Sequence, residues 1–328
     1  MKIVFYECES WEQEYFTEQL AGHELVFVEE SIEQRVVDGD VLVPFIYSEV
    51  SRAVIEQMPS LQLVATRSTG FDHVDVAACK ERGVTVCNVP FYGENTVAEH
   101  TFALLLAISR QVVSSVKRVR AGSFDARGLE GFDLKDKVLG VIGTGHIGQH
   151  VIRIARGFGM RVVAYDPFPN YDVERELGFT YMGLDDLLSR SDVVTLHCPY
   201  NEHTHHLLDH DNIHKVKEGA VLLNTARGGL VNSEALLAAL QEGRLSAAGL
   251  DVLEEEGHIK EERQILSREW RAHTDLHKLL VGHVLIHLPN VLVTPHNAFN
   301  SREALTRILD TTIKNVESFV AGEATNVV

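Results

Sequence analysis

The four cysteines, Cys8, Cys79, Cys87 and Cys198, form no Cys-x-x-Cys pair, so the sequence offers neither a zinc knuckle nor a dithiol redox motif. Four scattered thiols in 328 residues fit a reducing compartment better than a disulfide-stapled secreted fold. Long apolar runs are also missing. The longest near a helix, residues 102–108, is far below the ~20 residues of a membrane span. The N-terminal stretch meets an acid at Glu7, too early for the apolar core of a signal peptide. The expected location is therefore cytoplasmic. Positive charge is scarce: 30 Lys and Arg stand against 47 Asp and Glu, a formal net charge of −17. Such a surface repels phosphate backbones and anionic lipid, which argues against nucleic acid and membrane as partners. A small anionic ligand stays open, because one local arginine can override the global field. Short repeats, low-complexity tracts and a Pro/Gly/Ser linker are absent as well.

The length suits about two domains, and 45% hydrophobic with 23% charged residues is ordinary for a globular chain. Short β-branched runs at 2–6, 25–28, 41–46, 61–66 and 84–87 alternate with helical stretches, which predicts βαβ units and a mostly parallel sheet. A long helix is predicted from Thr96, where Thr96-Val97-Ala98-Glu99 fits a capping box, to about Arg120. A second βα series opens at Lys137, with strands at 138–143, 161–165, 192–197, 220–225, 247–252 and 291–294. Residues 257–287 interrupt it with a polar, helix-like pattern and read as an insertion. An amphipathic helix is predicted over 301–320.

Gly143-Thr144-Gly145-His146-Ile147-Gly148 is a G-x-G-x-x-G turn. It follows an apolar strand, opens a helical stretch over 146–158, and is followed by a second strand ending in Asp166, 23 residues after Gly143. That context is the signature of a dinucleotide site. Gly143 permits the tight turn, Gly145 lets a pyrophosphate approach the backbone, and Gly148 allows close helix–strand packing. The helix N-terminus offers free N–H groups to the phosphates. Asp166 would accept from a ribose 2′-OH and repel a 2′-phosphate, and no Arg or Lys follows in Pro167-Phe168-Pro169-Asn170. This favours NAD over NADP.

Three further segments stand at predicted strand ends: Asn224-Thr225-Ala226-Arg227-Gly228-Gly229, Gly249-Leu250-Asp251-Val252-Leu253-Glu254-Glu255-Glu256, and Thr294-Pro295-His296-Asn297-Ala298-Phe299. In an open α/β sheet, ligands bind beyond the carboxyl ends of the strands. A planar Arg fork clamps a carboxylate. A histidine gives a proton to a carbonyl oxygen and takes it back in reverse. A neighbouring carboxylate favours the protonated imidazole and orients it. These are the groups that hydride chemistry on a 2-oxo acid needs.

On these motifs, with residues 65–75, Asn88-Val89-Pro90, Ala98-Glu99-His100-Thr101 and Leu196-His197-Cys198-Pro199, the chain resembles the NAD-dependent D-isomer-specific 2-hydroxyacid dehydrogenases over nearly its whole length. Within that family it looks most like the lactate-type branch. The resemblance implies an α/β fold of two Rossmann-like, doubly wound parallel-sheet domains with a cleft between them. Residues 1–99 and 298–328 would form a flavodoxin-like substrate domain, and 100–297 an inserted NAD domain. It implies Arg227 as substrate anchor, His296 as acid/base, and Glu256 as the acid paired with it. The run of three glutamates leaves Glu254 and Glu255 open as alternatives. Asp251 and the Ala226 carbonyl would hold the nicotinamide amide, with His197 and Pro199 at the cofactor edge. Thr69 and Gly70 would give N–H donors to the substrate carboxylate. A homodimer formed through the NAD domain is implied too.

Phe299, Tyr92 and Tyr47 match aromatics that would make a tight pocket suited to the methyl group of pyruvate. Packing alone is the plainer reading of such aromatics. Bulkier 2-oxo acids such as phenylpyruvate or 2-oxoisocaproate are the alternative substrates, and a non-catalytic NAD(H)-sensing protein is the alternative class. The histidines at 203, 205, 206, 210 and 214, and the pairs His273/His277 and His283/His287, suggest a metal. They lack a third ligand at recognised spacing, so no metal is expected. His100 reads as structural, and Arg67 as either a buried structural pair or an active-site contact.

Overall fold

The computed structural model describes residues 1–254 and 276–328. The chain divides into two compact units: Met1–Gly93 with Asn300–Val328, and Glu94–Phe299. Both are built on parallel sheets, as the alternating pattern predicts. Among the described residues no helix is long and apolar enough to cross a membrane.

The first unit has strands β1 (Lys2–Tyr6), β2 (Glu24–Val28), β3 (Val41–Val43), β4 (Leu63–Ala65) and β5 (Thr85–Cys87), ordered β2-β1-β3-β4-β5. This is a doubly wound order. The central strands are short and wholly apolar, since helices cover both faces of a parallel sheet. On one face, Leu309, Ile313 and Val316 of the helix Arg302–Val320 pack against Ile3, Phe5, Val41 and Leu63. That helix starts as its sequence suggests, with Ser301 as N-cap accepting from the Ala304 N–H.

The second unit has β6 (Val138–Ile142), β7 (Arg161–Tyr165), β8 (Thr180–Tyr181), β9 (Val193–Leu196), β10 (Ala220–Asn224), β11 (Leu245–Leu250) and β12 (Val291–Val293). Their order is β12-β11-β10-β9-β6-β7-β8, all parallel. The chain winds outward from β6 through β7 and β8, then returns to place β9 on the other side of β6. The carboxyl ends of β6 and β9 therefore flank the switch point where such sheets bind ligands. β8 is absent from the sequence reading, because two residues are too few to show a period.

The long helix predicted over 96–120 is two helices, Glu94–Ser109 and Val112–Arg120. Gln111 takes a left-handed φ of 51° between them. The Ser109 carbonyl accepts instead from the Phe132 N–H at 2.9 Å, so a returning loop has replaced the next helical turn. Thr96 is no N-cap: it is buried within the first helix, which begins two residues earlier. The whole first helix belongs to the second unit. Its Ala98, Phe102, Leu105 and Ile108 pack with Val141, Val151, Val193 and Leu223. Of the predicted insertion, Leu276–His287 is helical, and Val281 and Leu285 join the core on the opposite face of the sheet.

Candidate active site

The glycine-rich turn leaves β6 and enters the helix His146–Gly157. Gly143 has φ 93°, and a β-carbon there would lie 2.6 Å from the Cys198 nitrogen. At Gly148 a β-carbon would lie 2.1 Å from the Gly143 carbonyl oxygen. These two glycines are demanded by the protein itself. Gly145 is different. It is the N-cap of the helix, and a β-carbon there would meet nothing within 4 Å. Open space above a helix N-terminus fits a pyrophosphate, and the residues present thus suit a dinucleotide. His146 is exposed and Ile147 half-buried.

Asp166 follows β7. Its Oδ2 accepts from the Thr144 N–H (2.8 Å) and the Thr144 hydroxyl (3.0 Å), and its Oδ1 from the Phe168 N–H (2.9 Å). The carboxylate is tied to the glycine-rich turn by donors of the protein itself. At the end of β9, His197 bonds Thr195 Oγ1 through Nε2 (2.9 Å). Its ring is packed about by protein, although the residue keeps some exposed surface, and burial pushes its pKa down to about 3. It is a neutral imidazole. Burial raises the Cys198 thiol beside it to about 11. The Pro199 carbonyl accepts from Thr204 Oγ1.

Arg227, Asp251 and His296 follow the carboxyl ends of the adjacent strands β10, β11 and β12, which close at Asn224, Leu250 and Val293. Asn224 braces the first of these ends: its side chain accepts from the Ala226 N–H (3.0 Å) and donates to the Arg227 carbonyl (2.9 Å). Arg227 Nη1 donates to the Ala226 carbonyl at 2.8 Å, which leaves that oxygen one further lone pair. Gly228 permits close packing here, for a β-carbon would lie 2.2 Å from the Leu253 backbone.

Asp251 is 1% exposed. Burial opposes its ionisation. The His100 and Thr294 side chains and the Ala298 and Asn297 N–H groups outweigh that and hold its pKa below the ordinary carboxylate range. The two backbone bonds are 2.8 and 3.0 Å, and His100 Nε2 stands 3.4 Å away. The Asp251 carbonyl accepts from the His296 N–H at 2.9 Å. His296 has φ 49°, a region that costs a non-glycine residue free energy and recurs at functional sites. Asp251 thus fixes the backbone that carries His296. His100, read from sequence as structural, belongs to this cluster. No spacing could have announced it, because 151 residues separate it from Asp251.

Glu256 and Glu255 lie outside the described residues. Glu254 is buried and accepts from His206 Nε2 (2.7 Å) and the Ser233 N–H (2.8 Å). His205 bonds the Tyr200 hydroxyl (3.0 Å) and stacks on His206. His273 is outside the described residues.

In the first unit, Thr69 Oγ1 donates to the Val89 carbonyl (2.7 Å), and Gly70 O accepts from Ser68 Oγ (2.6 Å). Arg307 holds the Tyr92 carbonyl (2.6 Å), and Tyr47 meets Phe45 edge-on. Arg67 is 1% exposed, pairs with Glu12 at 3.0 Å and donates to the Tyr6 and Glu7 carbonyls. Of its two readings, the structure displays the buried pair. Phe299 closes the second unit and is half-buried.

Residues 102–298 match the family described as D-isomer specific 2-hydroxyacid dehydrogenase, NAD binding domain. A 2-hydroxyacid dehydrogenase homolog of Haemophilus influenzae is 37% identical over 98% of this chain and 97% of its own length. The pyruvate reductase of Chlamydomonas reinhardtii superposes with a TM-score of 0.86 at 38% identity, over 98% of this chain and 97% of the other. D-lactate dehydrogenase from Aquifex aeolicus, solved with NAD and lactic acid, gives a TM-score of 0.87 at 34% identity over 98% and 96%. With its glycine-rich turn, its Asp166 and its two parallel-sheet units, the chain belongs to the D-isomer specific 2-hydroxyacid dehydrogenase family and is an NAD-dependent enzyme of that family.

Proposed function

We propose that the enzyme interconverts pyruvate and D-lactate. The observation that carries this reading is the placement of Arg227, Asp251 and His296 at the ends of three adjacent strands, with Asp251 bonded to the His296 segment. Arg227 pairs its planar fork with the substrate carboxylate. His296 gives its proton to the carbonyl oxygen as that oxygen gains charge, and recovers one in the reverse direction. Glu256 supports the protonated imidazole. The bound nicotinamide supplies the hydride in reduction and takes it up in oxidation. Asp251 and the remaining lone pair of Ala226 O hold the carboxamide. Asp166 reads the ribose hydroxyl, and Gly143, Thr144, Gly145, His146, Ile147 and Gly148 receive the pyrophosphate, with His197 and Pro199 at the cofactor edge.

In the first unit, Thr69 and Gly70 serve as N–H donors to a carboxylate, and Tyr47 and Tyr92 as apolar substrate contacts. Phe299 plays the same part at the end of the second. The relatives that act on pyruvate or lactate support a three-carbon substrate. The four free thiols suit a cytoplasmic setting. A homodimer is proposed on the helix Val112–Arg120, whose Val112, Val113, Val116 and Val119 all stand 37–46% exposed. Valines at this spacing form one apolar stripe, a surface that association would cover.

The test is NADH consumption with pyruvate, phenylpyruvate and 2-oxoisocaproate in parallel, followed by chiral analysis of the product. Pyruvate should be preferred and D-lactate formed. Preference for phenylpyruvate would reject the small-pocket assignment of Tyr47, Tyr92 and Phe299.

A further inference from the structure

The Thr144 hydroxyl has two neighbours: Asp166 Oδ2 at 3.0 Å and the Tyr181 hydroxyl at 2.7 Å. The Tyr181 oxygen in turn lies 3.2 Å from the Asn170 N–H. The direction of every bond in this chain is fixed. A carboxylate only accepts, so Thr144 spends its proton on Asp166. A backbone N–H only donates, so Asn170 gives to the Tyr181 oxygen. The Tyr181 proton is then left for Thr144. The relay runs Asn170 N–H, Tyr181 O–H, Thr144 O–H, Asp166 carboxylate, and bonds aligned in this way polarise one another.

The ring of Tyr181 is held in place. It sits on β8, with Phe179 edge-on at 4.9 Å and Tyr171 edge-on at 6.0 Å, and its own N–H donates to Glu174 Oε1. At the far end of the relay, Oδ2 of Asp166 has two donors and is filled. Oδ1 has only the Phe168 N–H, and so keeps one lone pair for a further donor.

We infer that Tyr181 is a positioning residue for cofactor recognition, acting through Thr144 to hold Asp166 with a single open acceptor for one ribose hydroxyl. The inference rests on the reading of Asp166 as the ribose contact. It assigns the strength of that contact to a side chain 15 residues further along the sequence, acting through Thr144.

The experiment is isothermal titration of the purified enzyme with NADH and with its 2′-deoxyadenosine analogue, for the wild type and Tyr181→Phe. In the wild type, loss of the 2′-hydroxyl should weaken binding about tenfold, as expected for a hydrogen bond to a charged group. In Tyr181→Phe, NADH should bind about three- to tenfold more weakly. The penalty for the missing hydroxyl should shrink at least about threefold, the coupling expected of groups in one network. Thr144→Ser keeps the relay hydroxyl and should retain the wild-type penalty, whereas Thr144→Val should behave like Tyr181→Phe. A general loosening of the fold would weaken both ligands equally. Equal penalties in wild type and Tyr181→Phe would overturn the relay while leaving Asp166 as the ribose contact. No penalty in the wild type would overturn both.

Discussion

His206 Nε2 and Glu254 Oε1 meet at 2.7 Å, joining two segments 48 residues apart. The same carboxylate accepts from the Ser233 N–H, and the His206 N–H donates to the Gly229 carbonyl. With Gly228 lying on the Leu253–Glu254 backbone, this pair clamps the stretch that follows Arg227. His206→Ala removes one donor from the buried Glu254 carboxylate and should cost about 1.5–3 kcal/mol. Because the clamp acts on the Arg227 segment, KM for the 2-oxo acid should rise while the Kd of NADH stays within about twofold. Thermal denaturation and steady-state kinetics would check both, and an NADH Kd that rose in step with KM would reject the clamp.

The glycines of the turn should separate by substitution. Gly148→Ala drives a methyl group into the Gly143 carbonyl and should lower stability and cofactor binding together. Gly145→Ala meets only open space, so its melting temperature should stay near wild type while NADH binding falls by an order of magnitude or more. Calorimetry and titration of both variants would show whether the open space belongs to the pyrophosphate.

Two groups give the stability a pH dependence in different windows. His197 has its pKa pushed by burial from 6.5 to about 3. Between those values the unfolded chain holds a proton there that the folded chain rejects. The contribution is complete above about 6.5 and is lost as pH falls toward about 3. Asp251 works at lower pH. Its folded-state pKa is depressed by the hydrogen bonds that outweigh its burial, so its contribution is present above its ordinary 3.8 and lost below. Urea denaturation from about pH 4 to pH 7 should therefore show a rising slope that His197→Gln flattens by up to one proton. An unchanged slope would show that the imidazole titrates alike in the folded and unfolded chain.

The Arg67–Glu12 pair should be costly to break and cheap to replace. Arg67→Ala strands the Glu12 carboxylate and should destabilise the enzyme by about 3–5 kcal/mol. Arg67→Met combined with Glu12→Leu should recover most of that loss, less the bond Glu12 makes to the Glu9 N–H at the helix start. Urea titration of the three proteins would check the order. A double variant no more stable than the single would mean that the buried charges contribute through other partners.

The valine stripe gives a simple test of assembly. Val116→Asp places a charge among Val112, Val113 and Val119 and should convert a dimer to a monomer in light scattering, with the fold retained by circular dichroism. A wild-type monomer would reject the dimer directly.

The sequence announces what repeats or spans a short distance. β-Branched runs mark the parallel strands, and the step from Gly143 to Asp166 marks the cofactor turn. It is silent where tertiary structure decides. A loop returning near Phe132 takes the Ser109 carbonyl and breaks a helix whose apolar pattern continues to Val119. The partners of Asp251 come from His100 and Asn297, and that of Glu254 from His206; no local rule links them. Tyr181 sits on a two-residue strand too short to register, yet it stands one bond from the cofactor turn.

The four thiols carry a last consequence. Burial lifts Cys8 to about 12 and Cys79, Cys87 and Cys198 to about 11. At neutral pH none is a thiolate, and the thiolate is the form that attacks peroxides and disulfides. An enzyme that handles reducing equivalents thus holds all four of its sulfhydryls in the slow-reacting protonated form. Oxidant that silences low-pKa cysteine enzymes should therefore leave its activity largely intact.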